Sequence, residues 1–240
     1  MPRVNLFPTR MSKRVLTRYY SPLVIGIYAM LLVIARLLYP YIPSYPYGWI
    51  TSTISRLGWP EENVTGWFFF SAAFLVLGLG TIPVAMHYRC GLGKVNATLA
   101  KLVSIFLLVA CIGEILIGAV PNFNTPDKMF LLCHSISAFA SFGGTYLMAL
   151  FMFIGIAFRK KVAKIEWHVS SRFVAVYAII LAFGLVCTVL MIATGAGAGL
   201  THYHQDPSVP LIASMPFWEW QSFHTMLVVG YLPLFIVPEA

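Results

Sequence analysis

Four side chains able to act as acid, base or cation fall inside apolar stretches of this sequence: Arg36, Glu114, His134 and His224. Isolated charge in apolar surroundings is costly, so such groups pair, change protonation or serve a ligand. A carboxylate beside a histidine is a candidate general acid–base pair. The same set could hold the polar end of an amphipathic ligand. It could also be structural, with Arg36 pairing with Glu114 or extending toward the surface. Ser135 and Ser137 neighbour His134, but nothing in the sequence marks either as a nucleophile.

A second group, His202, His204 and Asp206, lies in "THYHQD". Residues two apart point to different faces of a helix, so joint ligation requires an extended or looped backbone. Nitrogen and oxygen donors of this kind suit a divalent metal; a solvated polar loop is the plain alternative. His87 and His168 lie near span ends or in a loop and read as surface histidines. Haem held by two histidines needs pairs at matching depth on facing helices. His134 and His224 supply one such pair, His87 has no partner for a second, and haem is disfavoured. Walker, Rossmann, GxSxG and HExxH patterns are absent, so no nucleotide site is expected.

These residues are positioned by a series of apolar runs. Of the 240 residues, 59% are hydrophobic and 10% charged, and the mean hydropathy is +0.81. A soluble domain is about 25% charged. Runs at 21–43, 66–88, 97–120, 129–158, 173–197 and 222–238 approach or exceed the roughly 20 residues that cross a bilayer. The expected fold is all-α: a polytopic bundle of six transmembrane helices over 21–240, after a basic segment at 1–20. Helices are preferred because lipid forces each segment to satisfy its own backbone, and no alternating barrel pattern appears. The first run, about 23 residues, exceeds the roughly 7–15 of a signal peptide. Pro83 predicts a kink in the second span.

The net charge of +8 does not point to nucleic acid, because the basic residues flank the apolar runs. Arg3, Arg10, Lys13, Arg14 and Arg18, then Arg89, Lys94 and Lys101, then Arg159, Lys160, Lys161, Lys164 and Arg172 fall on one side. The positive-inside rule makes that side cytoplasmic and places both termini there. On this topology Arg36, Glu114 and His134 lie about 8–10 Å below the outer ends of their spans, and His224 about 5 Å. Longer outer loops, about 44–65 and 198–221, place function on the outer half. Tyr39, Tyr41, Tyr45, Tyr47, Trp49, Trp59, Trp67, Trp218 and Trp220 read as an outer interfacial belt. Cys90, Cys111, Cys133 and Cys187 read as small apolar residues without a disulfide framework. Asn63-Val64-Thr65 is a glycosylation sequon, but it abuts the second span.

In "PYGWITSTISRLGWPEENVTGWFFFSAAF", Ile54-Ser55 is followed by Leu57-Gly58 and Pro60; later come Gly118, Pro121, Asn122, His134 and a small/aromatic run through Phe142. Through the fourth span the chain resembles the six-span DRAM/Sfk-type family and related prokaryotic membrane proteins. The resemblance implies six helices with both termini inside and, for eukaryotic members, links to endolysosomal or lipid-remodelling processes. Arg56 stands where the family usually carries an acidic residue.

Three functions are compatible with these features. The leading one is a non-redox membrane protein whose outer-half pocket, around Arg36, Glu114, His134 and His224, handles a membrane lipid or other amphipath. The second is a metal-dependent lipid hydrolase or transferase using the histidines. The third is a structural subunit that packs against other membrane subunits.

Overall fold

The computed structural model describes residues 11–41, 47–120, 128–163, 165–198 and 210–239, and among these it is helical with no strand. The main helices are α1, Lys13–Leu37; α2, Trp67–Val95; α3, Ala97–Ala119; α4, Lys128–Ala157; α5, Ser171–Ala198; and α6, Met215–Tyr231. The first five are long and apolar enough to cross a membrane. α6, with 17 residues, is about 26 Å long at 1.5 Å per residue.

Local chemistry explains the boundaries. α1 begins inside the basic segment, includes a π-helical stretch at Leu16–Tyr20, and stops at Leu37 rather than 43. Pro40 disfavours helical geometry at the residue before it. α2 continues through Pro83 to Val95, well past the expected end at 88. A single residue then turns the chain: the Asn96 side chain accepts from the Thr98 and Leu99 amides, both at 3.0 Å, and caps α3. α6 starts seven residues before the expected span, with Pro216 in its first turn. It thereby takes in Trp218, Glu219 and Trp220.

Polar side chains are buried within the apolar core of the bundle, and large apolar ones cover much of its outside. Ser52, Thr53, Arg56, Asn63, Glu114, Ser141, Glu219 and Ser222 are buried, whereas Leu23, Met30, Val33, Ile179, Phe183, Val186 and Val189 are exposed. Water would reverse that pattern, since apolar burial drives soluble folding. Lipid permits it, because tails solvate leucine as readily as a core does. The chain is a multi-pass helical membrane protein.

Helices in lipid associate through close packing. α2, α3 and α4 pack in sequence, α5 packs on α6, and α6 reaches α4. At the α3–α4 crossing a Cβ on Gly113 would lie 2.5 Å from the Ser141 amide nitrogen and 2.6 Å from the Ser137 carbonyl. Gly144 makes the reciprocal approach to Ala110 and Phe106 backbone. This contact brings Glu114, beside Gly113, up to Ser141.

The first and last described helical segments meet at one end of the bundle. The Lys13 amide donates to Glu239 Oε1 at 2.8 Å, Lys94 Nζ to the Glu239 carbonyl at 2.8 Å, and Trp167 Nε1 to the Ile236 carbonyl at 2.9 Å. This tail covers the last turns of α2. His87 is therefore buried rather than on the surface, with neither ring nitrogen partnered. His168 is exposed, as expected.

At the opposite end the segment 47–66 folds back over the helices and carries a 3₁₀ turn, Ser55–Gly58. Trp220 Nε1 donates to the Ser52 carbonyl at 2.9 Å, and Asn63 Nδ2 to the Leu57 carbonyl at 2.8 Å and the Ala35 carbonyl at 3.2 Å. Tyr39, Tyr47, Trp59 and Trp220 turn inward here, so they do not form the expected interfacial belt; Tyr41 and Trp49 stay exposed.

Candidate functional site

Below the 3₁₀ turn lies a cavity of about 30 Å³, room for about two water molecules. Its polar lining is Ser55, His134, Ser141 and Glu219; Phe70, Phe74, Phe142 and Phe223 form most of its apolar wall.

Three elements converge on its polar rim. The 3₁₀ turn carries Ser55, the first turns of α4 carry His134, and α6 carries Glu219. Ser55 Oγ donates to Glu219 Oε1 at 3.1 Å, and the Ile54 amide donates to Glu219 Oε2 at 2.8 Å. His134 Nε2 lies 3.2 Å from Ser55 Oγ. The serine's single proton is directed to Glu219, which assigns Nε2–H as donor to Ser55 and leaves Nδ1 as an acceptor. Nδ1 is buried without a partner.

Beneath this rim, Ser141 links the cavity to Glu114. Its hydroxyl is hydrogen-bonded to the Glu114 carboxyl and stands 3.7 Å from Met226 Sδ. Glu114 is 4% exposed and its Oε2 has no partner. Tyr28 OH on α1 is likewise buried and unpartnered, and the Tyr28 ring packs 5.7 Å from both Phe74 and Phe223 of the cavity wall.

The structure thus brings His134 to the cavity and Glu114 just behind it. It does not bring Arg36 or His224. Because α1 ends at Leu37, Arg36 lies in the last helical turn rather than deep in a span; its Nη2 donates to the Tyr47 carbonyl at 2.9 Å and its guanidinium stands 5.2 Å from the Tyr47 ring. It makes no ion pair with Glu114. His224 is exposed on the far face of α6, with Nδ1 2.7 Å from the Trp220 carbonyl of its own helix. His202, His204 and Asp206 lie outside the described residues. Among the described residues no three His, Cys, Asp or Glu side chains are grouped to hold a metal ion.

The buried cation at this end is Arg56, which the sequence placed in an outer loop. Its side chain is 1% exposed; Nε contacts Glu62 Oε2 at 2.6 Å, and the guanidinium lies 5.6 Å from the Tyr39 ring. Tyr39 OH donates to the same Glu62 oxygen. The pair braces the turn that presents Ser55.

No family model, curated protein or solved structure matches this chain. The likeness to the DRAM/Sfk-type family accordingly rests on the short motifs alone.

Ser55, Ser141 and Glu219 were not singled out from the sequence. Glu219 had a readable signal: Glu219, Phe223, Met226 and Gly230 recur at helical spacing behind Pro216, and all are buried. Ser55 had none beyond its place in the quoted motif, because the fold of a loop is not periodic.

Proposed function

We propose that the chain is a six-span membrane protein, with both termini on the cytoplasmic side, whose outer-half pocket receives the polar end of a membrane amphipath. The observation that carries the reading is the His134–Ser55–Glu219 arrangement at the mouth of a largely aromatic cavity. Apolar walls with a few convergent polar groups are what a small-ligand site requires. At about 30 Å³ the cavity admits a small polar group, with the apolar remainder of the ligand left among the helices or in lipid. The Lys13–Glu239 contact supports an even number of passes, because such a chain returns to the face it started from. The basic residues near that end, Lys13, Arg14 and Lys94 among them, support a cytoplasmic assignment.

The test is lipid retention. Protein purified in mild detergent is extracted and its bound lipids are quantified by mass spectrometry. Wild type retains a defined amphipath, whereas His134→Ala and Glu219→Gln lose it at unchanged helicity. Equal retention by all three proteins overturns the reading. Cysteines introduced at Glu61 and Lys160 test the topology: an impermeant thiol reagent applied outside labels the first and spares the second.

Ser55 favours a second reading, an acyl hydrolase or transferase. A serine hydroxyl within reach of a histidine nitrogen is a nucleophile–base pair. Here, however, the carboxylate holds the serine rather than the far nitrogen of the histidine, which is not the order of a Ser–His–acid triad. Covalent labelling by a fluorophosphonate that disappears in Ser55→Ala would establish this reading over simple binding.

A further inference from the structure

Resting on the pocket reading, we infer that the outer cavity recognises a primary ammonium group, with Glu219 as its counter-charge. The argument is an inventory of donors and acceptors. Both Glu219 oxygens accept hydrogen bonds, from the Ile54 amide and the Ser55 hydroxyl, as an ionised carboxylate does. The side chain is 7% exposed. A buried carboxylate without a cation is strongly unfavourable. Among the described residues no basic side chain forms an ion pair with it. Arg56 is committed to Glu62 and Arg36 to Tyr47.

On the polar rim itself the group left over, His134 Nδ1, is an acceptor, while behind the wall the Tyr28 hydroxyl can both donate and accept. His134 Nδ1 is bare, and Glu114 Oε2 is bare just beyond Ser141. A ligand that completes these groups must donate hydrogen bonds. Phosphate and carboxylate head groups offer acceptors and negative charge, and both would be repelled. A primary ammonium offers three donors and the missing positive charge. It is close to water in size, matching a cavity of about 30 Å³. Phe70, Phe74, Phe142 and Phe223 line the cavity, and aromatic rings attract a desolvated cation. A quaternary ammonium donates no hydrogen bond and would leave the bare acceptor unsatisfied. The ammonium could be a free ion or the head of a long-chain amine; both present the same chemistry to Glu219.

The experiment is thermal unfolding of the full chain in a neutral detergent at fixed pH. The probes are ammonium chloride, a long-chain primary alkylamine and the alcohol of equal length. Stabilisation by the amine and not by the alcohol is the expected result. Stabilisation by ammonium chloride as well identifies the free ion as sufficient; its absence identifies the amphipath as the source. Glu219→Gln weakens amine binding on the order of thirtyfold or more, the loss that follows removal of one partner of a buried charge pair. Should that variant not fold, Ala138→Leu fills the cavity while keeping both carboxyls, and amine binding is again lost. Equal stabilisation by amine and alcohol, or undiminished amine binding in folded Glu219→Gln, overturns the inference. Lipid retention distinguishes this outcome from failure of the pocket itself: a retained amphipath without an amine leaves the pocket and removes the ammonium.

Discussion

Replacing Glu62 by leucine strands a buried guanidinium above the cavity. Arg56 is 1% exposed and Glu62 16%, and their contact is 2.6 Å. Removing one member of a buried pair costs about 3–5 kcal/mol, because the remaining charge stays desolvated. A domain of this size loses about 2–4 °C in Tm per kcal/mol, so Glu62→Leu lowers Tm by about 6–20 °C. The Arg56→Met/Glu62→Leu double variant recovers most of that loss, since an apolar pair of similar volume often replaces a buried ion pair without cost. Cysteine-free protein in detergent, followed by a thiol-independent unfolding signal, gives the four corners of the cycle. Function adds a second readout. The pair braces the 3₁₀ turn of Ser55, so amphipath retention falls in the single variant and returns in the double. A Glu62→Leu protein within about 2 °C of wild type would refute the reasoning, placing the pair in effective contact with solvent. A double variant as unstable as the single would show that Tyr39 and the turn, rather than the stranded charge, carry the effect.

Other perturbations separate packing from site chemistry. Gly113→Val forces a side chain into the Ser141 and Ser137 backbone and destabilises by about 1–3 kcal/mol or more, read as a lower Tm with loss of the Glu114–Ser141 contact. Asn63 is fully buried and both its amide protons are used, so glycosidase treatment leaves gel mobility unchanged despite the sequon, while Asn63→Ala lowers Tm. His224→Ala changes stability by no more than about 0.5 kcal/mol, as at other exposed positions, and leaves ligand retention intact. Opposite results for His134→Ala and His224→Ala check that depth alone does not make a histidine part of the site.

Apolar run length located every main helix, because crossing a bilayer requires a minimum apolar length. Helix boundaries depart from the ends of the apolar runs where local chemistry overrides run length: Pro40 ends α1 early, and Pro216 with the buried 219–230 stripe starts α6 early. Those two shifts decided the fate of the predicted site. The first moved Arg36 to a helix end, beside Tyr47. The second made Glu219 a helical residue facing inward. His224, five residues on, was carried to the outer face.

Sequence by itself determined the membrane class, the helical architecture and the positions of Glu114 and His134 along their helices. Each follows from local quantities: apolar length, charge placement and rise per residue. Tertiary structure alone decided which polar groups meet. Rotation of α4 and α6 about their axes, with α4 held against α3 by the Gly113 and Gly144 contacts, brings His134 and Glu219 to Ser55 and excludes His224. The fold of 47–66, set by hydrogen bonds from Trp220 and Asn63 to its backbone, delivers Ser55 between them. Position along a helix is a one-dimensional property of the chain, whereas convergence depends on rotation and on a non-periodic loop, which spacing along the sequence does not specify.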